Sequence, residues 1–163
     1  MIKRIVIFGC DNSGKTTLAN NLSKELDAVV LKPLGPADLK TQMKHLDNCL
    51  LMEESIIFDR FPPIEEEVCG NVFRLKNNFL NCPEDSLEFY YNSIDLFIFC
   101  NPSISSVVNW GEREQMKGVK ENVPQLISGY IKKFLELRSK NCKVVEYNWE
   151  KDSIEKIIKE VVE

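Results

Sequence analysis

The stretch Gly9-Cys10-Asp11-Asn12-Ser13-Gly14-Lys15-Thr16 restricts this chain more than any other. It fits G-x-x-x-x-G-K-[ST] at every fixed position and directly follows the apolar run Ile5-Val6-Ile7-Phe8. Its two glycines can take backbone angles closed to other residues, so successive N–H groups can turn inward and form a cup for an anion. A helix opening at the end of the loop adds unpaired donors and the positive end of its dipole. Such a loop cradles nucleoside triphosphate phosphates along Asp11, Asn12, Ser13, Gly14, Lys15, Thr16 and Thr17. Lys15 reaches the β- and γ-phosphates, and the Thr16 hydroxyl ligates Mg²⁺.

The loop requires a buried strand before it and a helix after it, and the chain continues that alternation. Leu18, Leu22 and Leu26 recur at helical spacing. Residues 28–31 read as a second strand, stopped by Lys32-Pro33 and Gly35-Pro36. A helical pattern over residues 37–51 carries Leu39, Met43, Leu46 and Leu50. A short apolar strand then ends in Asp59-Arg60, Phe61-Pro62-Pro63 breaks it, and Glu65-Glu66-Glu67 suits the first turn of a helix by opposing its dipole, although a carboxylate there could also touch a substrate. Residues 71–94 parse poorly, apart from a short helix over 86–93. Residues 95–100 form a fourth strand, apolar throughout as a central parallel strand should be. A helix over 123–139 points Ile127, Ile131, Phe134 and Leu135 inward, and residues 143–147 form the last strand. Asp152 and Glu155 form a capping box for a terminal helix striped by Ile154, Ile157, Ile158, Val161 and Val162. Five such alternations predict an α/β fold of three layers, a five-stranded parallel sheet with helices on both faces.

At 163 residues the expectation is a single domain. A net charge of −4 speaks against broad nucleic-acid or membrane affinity. The six cysteines are scattered, with no C-x-x-C and one His in the chain, so no zinc site and reduced thiols in a cytoplasm are expected.

Two further stretches carry chemistry. At the carboxyl edge of a parallel sheet, Asp59 can hold a water of the Mg²⁺ shell and Arg60 can clamp a phosphate through its planar fork. Lys32, at another strand end, is placed to meet an anion, although a solvated lysine gives the same pattern. Near residues 103–120, Trp110-Gly111-Glu112-Arg113-Glu114-Gln115-Met116-Lys117-Gly118 reads as a lid in which Arg113 closes on the transferring phosphoryl group. An exposed charged helix is the equal alternative.

Together these motifs resemble the P-loop nucleoside and nucleotide kinases, and most closely the thymidylate kinase family with its compact deoxynucleoside monophosphate kinase relatives. The loop through Thr17 is similar to that family's G-x-D-x-x-G-K-[ST]-T, Asp59-Arg60-Phe61 resembles its D-R-[YFHS] strand end, and Glu112-Arg113-Glu114-Gln115 stands where the family keeps its lid arginine. The resemblance implies ATP with Mg²⁺ as donor and a small nucleotide as acceptor. Asp11 would accept from the acceptor sugar hydroxyl, Arg60 and Phe61 would hold the acceptor, and Lys15, Asp59, Arg60 and Arg113 would serve catalysis. It is compatible with a cytoplasmic homodimer. Asn12 stands where some members carry a loop arginine, which leaves the cation to the lid, and the family's base-reading segment is not recognisable. A kinase acting on a nucleoside or a nucleic-acid hydroxyl remains as an alternative, as does a non-catalytic nucleotide-binding module. A regulatory GTPase would show N-K-x-D, which is absent.

Overall fold

The structure, a computed structural model, describes residues 2–109, 111 and 118–162. Five strands, β1 (Arg4–Phe8), β2 (Val29–Leu31), β3 (Ile56–Asp59), β4 (Leu96–Cys100) and β5 (Val144–Tyr147), form one sheet in the order β2-β3-β1-β4-β5. All four pairings are parallel. The predicted sheet is thus present, and β1 lies at its centre.

Side chains alternate across a strand, so β1 supplies both faces. Val6 and Phe8 join Phe58, Phe97 and Phe99 on one side. Ile5 and Ile7 join Ile57 and Ile98 on the other. The second face is covered by α1 (Lys15–Leu26), through Leu18 and Leu22, and by α7 (Ile154–Val162), through Ile157 and Val161. The first face receives α2 (Leu39–Leu50), α3 (Pro62–Phe73), α4 (Glu84–Asn92) and α6 (Val123–Ser139). Phe8 stacks on Phe99 with centroids 5.3 Å apart, and Phe61 meets Phe58 edge-on at the same separation. Between β4 and α6 lies the short α5 (Ile104–Val108).

Three local expectations need correcting. Asp38 caps α2 through the Thr41 N–H at 2.8 Å, so the helix starts later than its apolar pattern suggested. Both oxygens of Asp152 are engaged by the Asn148 N–H and Lys156, at 2.8 Å each, and α7 begins two residues further on rather than at an Asp152 cap. The buried face of α6 is Leu126, Tyr130 and Leu137, whereas Ile131 and Leu135 are exposed. Its phase follows Tyr130, which reaches α3.

The topology positions the site. The sheet order reverses around β1, whose neighbours β3 and β4 both connect to it out of sequence, and loops leaving the carboxyl ends of strands diverge at such a point. Register sets those ends level: Ile7 pairs with Asp59, Phe8 with Phe99, and Cys100 with Tyr147.

Candidate functional site: a phosphate-loop cavity and an ion pair at its edge

The loop after β1 turns through backbone angles that explain its composition. Gly9 has φ +141°, Asn12 φ +62° and Gly14 φ +90°. A Cβ on Gly9 would sit 2.5 Å from the Cys100 carbonyl oxygen, so the loop passes β4 at a distance only glycine allows. Gly14 is the N-cap of α1 and brings no side-chain cap, and the first turn carries no acidic residue. The leading N–H groups of α1 therefore keep the positive character that suits a phosphate.

Lys15 is buried, and its ammonium donates to the carbonyls of Gly9 at 2.8 Å and Cys10 at 2.6 Å. It lies folded over its own loop. Thr16 Oγ1 donates to Asp59 Oδ2 at 2.7 Å, joining the start of α1 to the end of β3. The other Asp59 oxygen is buried with no hydrogen-bond partner among the described residues. A hydroxyl beside a buried carboxylate with one free oxygen is the hard-oxygen donor set Mg²⁺ takes, so these residues fit the implied metal. Ser13 Oγ, buried against the same loop, also has no hydrogen-bond partner among the described residues. Burial pushes the Cys10 thiol up to about 11 and the Cys100 thiol up to about 12, so both pack as neutral groups.

A cavity of about 900 Å³ opens over the loop, lined by Asn12, Ser13, Gly14, Lys15, Thr16 and Thr17 with Asn21, Arg60, Ser106, Asn109, Tyr147 and Trp149. Trp149 lies against Gly14, where a Cβ would come within 2.9 Å of the indole Cδ1.

Arg60 stands at the edge of this cavity. Its backbone takes φ +80°, an uncommon conformation for a long side chain, and its N–H donates to the Ile7 carbonyl at 3.1 Å. That bend delivers the guanidinium to Asp11 Oδ1 at 2.5 Å, with the two side chains 39% and 23% exposed. Burial alone would lower the Arg60 pKa, but Asp11 and Glu65 outweigh it and hold the cation. Beneath the pair lies Glu65. Its Oε2 accepts from the Tyr130 hydroxyl at 2.9 Å, while Oε1 is buried with no hydrogen-bond partner among the described residues. Burial raises the Glu65 pKa against the opposing pull of Lys15 and Arg60.

The acidic trio of α3 therefore does more than oppose a dipole. Glu66 accepts from Gln42 and from the Asn78 N–H, and Glu67 pairs with buried Lys133 at 2.5 Å. The structure brings Asp11, Lys15, Thr16, Asp59 and Arg60 together. Lys32 is exposed and outside the cavity lining, and Phe61 is fully buried in the aromatic core. Arg113 lies outside the described residues. The sequence places Glu65 in an acidic trio suited to capping or to touching a substrate, but it carries no signal for Tyr130, which lies 65 positions away and meets Glu65 only through the packing of α3 on α6. Asn12, which the motif places in the phosphate loop, donates its side-chain amide to the carbonyls of residues 106, 107 and 109. The left-handed φ of Asn12 suits asparagine, the one sequence signal for it.

No family model matches the chain, and no curated protein matches it by sequence. Solved structures do. The YorR protein of Bacillus subtilis, in complex with phosphorylated GDP, superposes with a TM-score of 0.68 at 20% identity, over 98% of this chain and 94% of that one. Deoxyadenosine kinase from M. mycoides, with products dCMP and a flexible dCDP bound, gives 0.68 at 22% identity, over 98% of each chain. Thymidylate kinase from Candida albicans gives 0.62 at 14% identity, over 99% of this chain and 89% of that one. The likeness establishes the fold: this chain has the architecture of the P-loop nucleotide kinases.

Proposed function

We propose, from that fold and from the site it frames, that the chain is a kinase transferring the γ-phosphoryl group of ATP to a deoxynucleoside monophosphate. The observation that carries this reading is the placement of the Asp11–Arg60 pair beside Lys15 and the Thr16–Asp59 contact, at the rim of one cavity. A phosphate loop alone specifies a donor. A carboxylate and a guanidinium at its edge supply what an acceptor nucleotide presents, a sugar hydroxyl and a phosphate.

Phosphoryl transfer asks chiefly for positioning and charge neutralisation. Lys15 leaves the carbonyls of Gly9 and Cys10 for the β- and γ-phosphates, and the N–H groups from Asp11 to Thr17 surround them. Thr16 and Asp59 would hold Mg²⁺, which when bound would supply further charge neutralisation. Arg60 exchanges Asp11 for the acceptor phosphate, which frees Asp11 for the sugar hydroxyl. Arg113 is the candidate for the cation on the transferring group. A monophosphate is already an anion, so the attack needs no strong base. A free nucleotide as partner and a cytoplasmic setting accord with the net charge of −4 and with the absence, among the described residues, of a helix long and apolar enough to cross a membrane. Sedimentation would decide between monomer and homodimer.

A second reading, with a nucleoside or nucleic-acid hydroxyl as acceptor, is favoured by one observation. Glu65 offers a buried carboxyl oxygen with no partner among the described residues, and burial raises its pKa, the direction a general base requires. A coupled ADP-release assay across monophosphates, nucleosides and oligonucleotides separates the two. Turnover with monophosphates supports the first reading; turnover confined to nucleosides or oligonucleotides replaces it with the second.

A further inference from the structure

The helix α5 has five residues, well below the length at which a helix persists on its own in water. Its two ends are held by side chains from two other loops. At its end, Asn12 Nδ2 donates to the carbonyls of Ser106 at 3.0 Å, Val107 at 3.1 Å and Asn109 at 3.2 Å. At its start, Glu150 accepts from the Ser103 N–H at 2.6 Å, the Ser103 hydroxyl at 2.8 Å and the Ser106 hydroxyl at 2.6 Å. Those bonds from Ser106 and Ser103 hold the Glu150 pKa below the usual carboxylate value, so it stays an acceptor at neutral pH.

The two anchoring loops also touch each other. Glu150 follows Trp149, whose indole rests on Gly14 two positions beyond Asn12. The contacts close a ring from the phosphate loop to α5, from α5 to the loop after β5, and back to the phosphate loop. Asn12, Ser106, Asn109 and Trp149 all line the cavity the ring surrounds.

We propose that Asn12 and Glu150 are positioning residues which together lock α5 as one wall of the donor site, so that the phosphate loop and the Trp149 loop close on the donor nucleotide as a unit. The inference rests on the donor cavity of the proposed function. It differs from simple helix capping in what it predicts for binding: without either anchor the wall must be ordered when nucleotide arrives, and the apparent affinity falls by the fraction of molecules already ordered.

The test is equilibrium binding of a fluorescent ATP analogue with Mg²⁺ to Glu150→Ala, Glu150→Gln, Asn12→Gly and the Asn12→Gly/Glu150→Ala double variant, with hydrogen exchange of residues 103–109 in the nucleotide-free proteins. Glycine at position 12 tolerates the left-handed backbone. Removing the Glu150 charge would, by electrostatics alone, tighten binding of an anionic nucleotide. The clamp predicts the opposite sign: about fivefold weaker binding for Glu150→Ala, the equivalent of one net hydrogen bond. Glu150→Gln keeps an accepting oxygen and should recover most of the loss. The double variant should lose at least the combined effect of the two single variants, because both anchors feed one ordering equilibrium, and the α5 amides should exchange faster in each weakened variant. Unchanged or tighter binding in Glu150→Ala, a double variant no weaker than the worse single one, or unaltered α5 protection would overturn the proposal. If the unaltered protein binds no ATP, the proposed function falls, and the exchange data alone decide whether α5 is clamped.

Discussion

The two sides of the site, the proposed donor side and the proposed acceptor side, are built differently. The proposed donor side is one uninterrupted run, Gly9 to Thr17, tied to distant parts of the chain by Thr16 to Asp59 and by Asn12 to the carbonyls of Ser106, Val107 and Asn109. The proposed acceptor side gathers Asp11 on the phosphate loop and Arg60 after β3, with Glu65 on α3 and Tyr130 on α6 behind them. A contiguous loop fixes its geometry locally, through glycine angles and a helix start. The dispersed cluster exists only once α3 and α6 have packed, and it retains a carboxyl oxygen with no partner among the described residues, which a closed structural network would have satisfied. Chemistry common to all phosphate donors can be carried by a motif, whereas recognition of one acceptor is left to tertiary structure.

Perturbing each side in turn should break or sharpen that contrast. The largest effect is expected at Lys15. Lys15→Ala should lower turnover by about a thousandfold or more, since it removes the buried cation of the phosphate loop. Coupled ADP release checks this, and a loss below tenfold would remove Lys15 from the mechanism. Gly9→Ala acts on the scaffold instead. A methyl group 2.5 Å from the Cys100 carbonyl oxygen, on a backbone at φ +141°, should cost about 4 kcal/mol or more of stability, read by urea denaturation. On the acceptor side, Tyr130→Phe removes the donor to Glu65 Oε2 and leaves the carboxyl without its described partner. About 2 kcal/mol of stability should be lost, with ATP affinity unchanged.

The smallest effect concerns pH. Burial raises the Glu65 pKa, so between its ordinary and raised values the folded state binds more protons than the unfolded state. Stability from this group is full below the ordinary carboxylate pKa and is lost as pH rises through the folded value. Glu65→Gln should remove that part of the decline, giving a flatter dependence of melting temperature on pH above about 4.5. An unchanged slope would show that Glu65 is not held partly neutral.

The same contrast sets what could be read in advance. The strands were legible because Ile5-Val6-Ile7-Phe8 and Leu96-Phe97-Ile98-Phe99 are apolar on both faces, as buried parallel strands must be. The phosphate loop was legible because its glycines are demanded by backbone angles. The phase of α6 was not, since Ile131 and Leu135 look as buriable as Leu126 and Leu137 until Tyr130 is seen bonded to Glu65. The acidic trio 65–67 was equally opaque. Adjacent glutamates on a helix point about 100° apart, and only the fold decides that one meets Tyr130, one Gln42 and one Lys133.

The central claim is that donor and acceptor sites adjoin at Arg60, and Arg60→Ala tests it most directly. Its kcat/KM for a deoxynucleoside monophosphate should be measured beside its ATP dissociation constant. The account predicts a fall of about 100-fold in kcat/KM, the loss expected when one partner of a charge-assisted contact is truncated, with ATP affinity kept within about threefold. Equal losses in both quantities would place Arg60 on the donor, and no loss in either would leave the Asp11–Arg60 pair as scaffold, each contradicting the account.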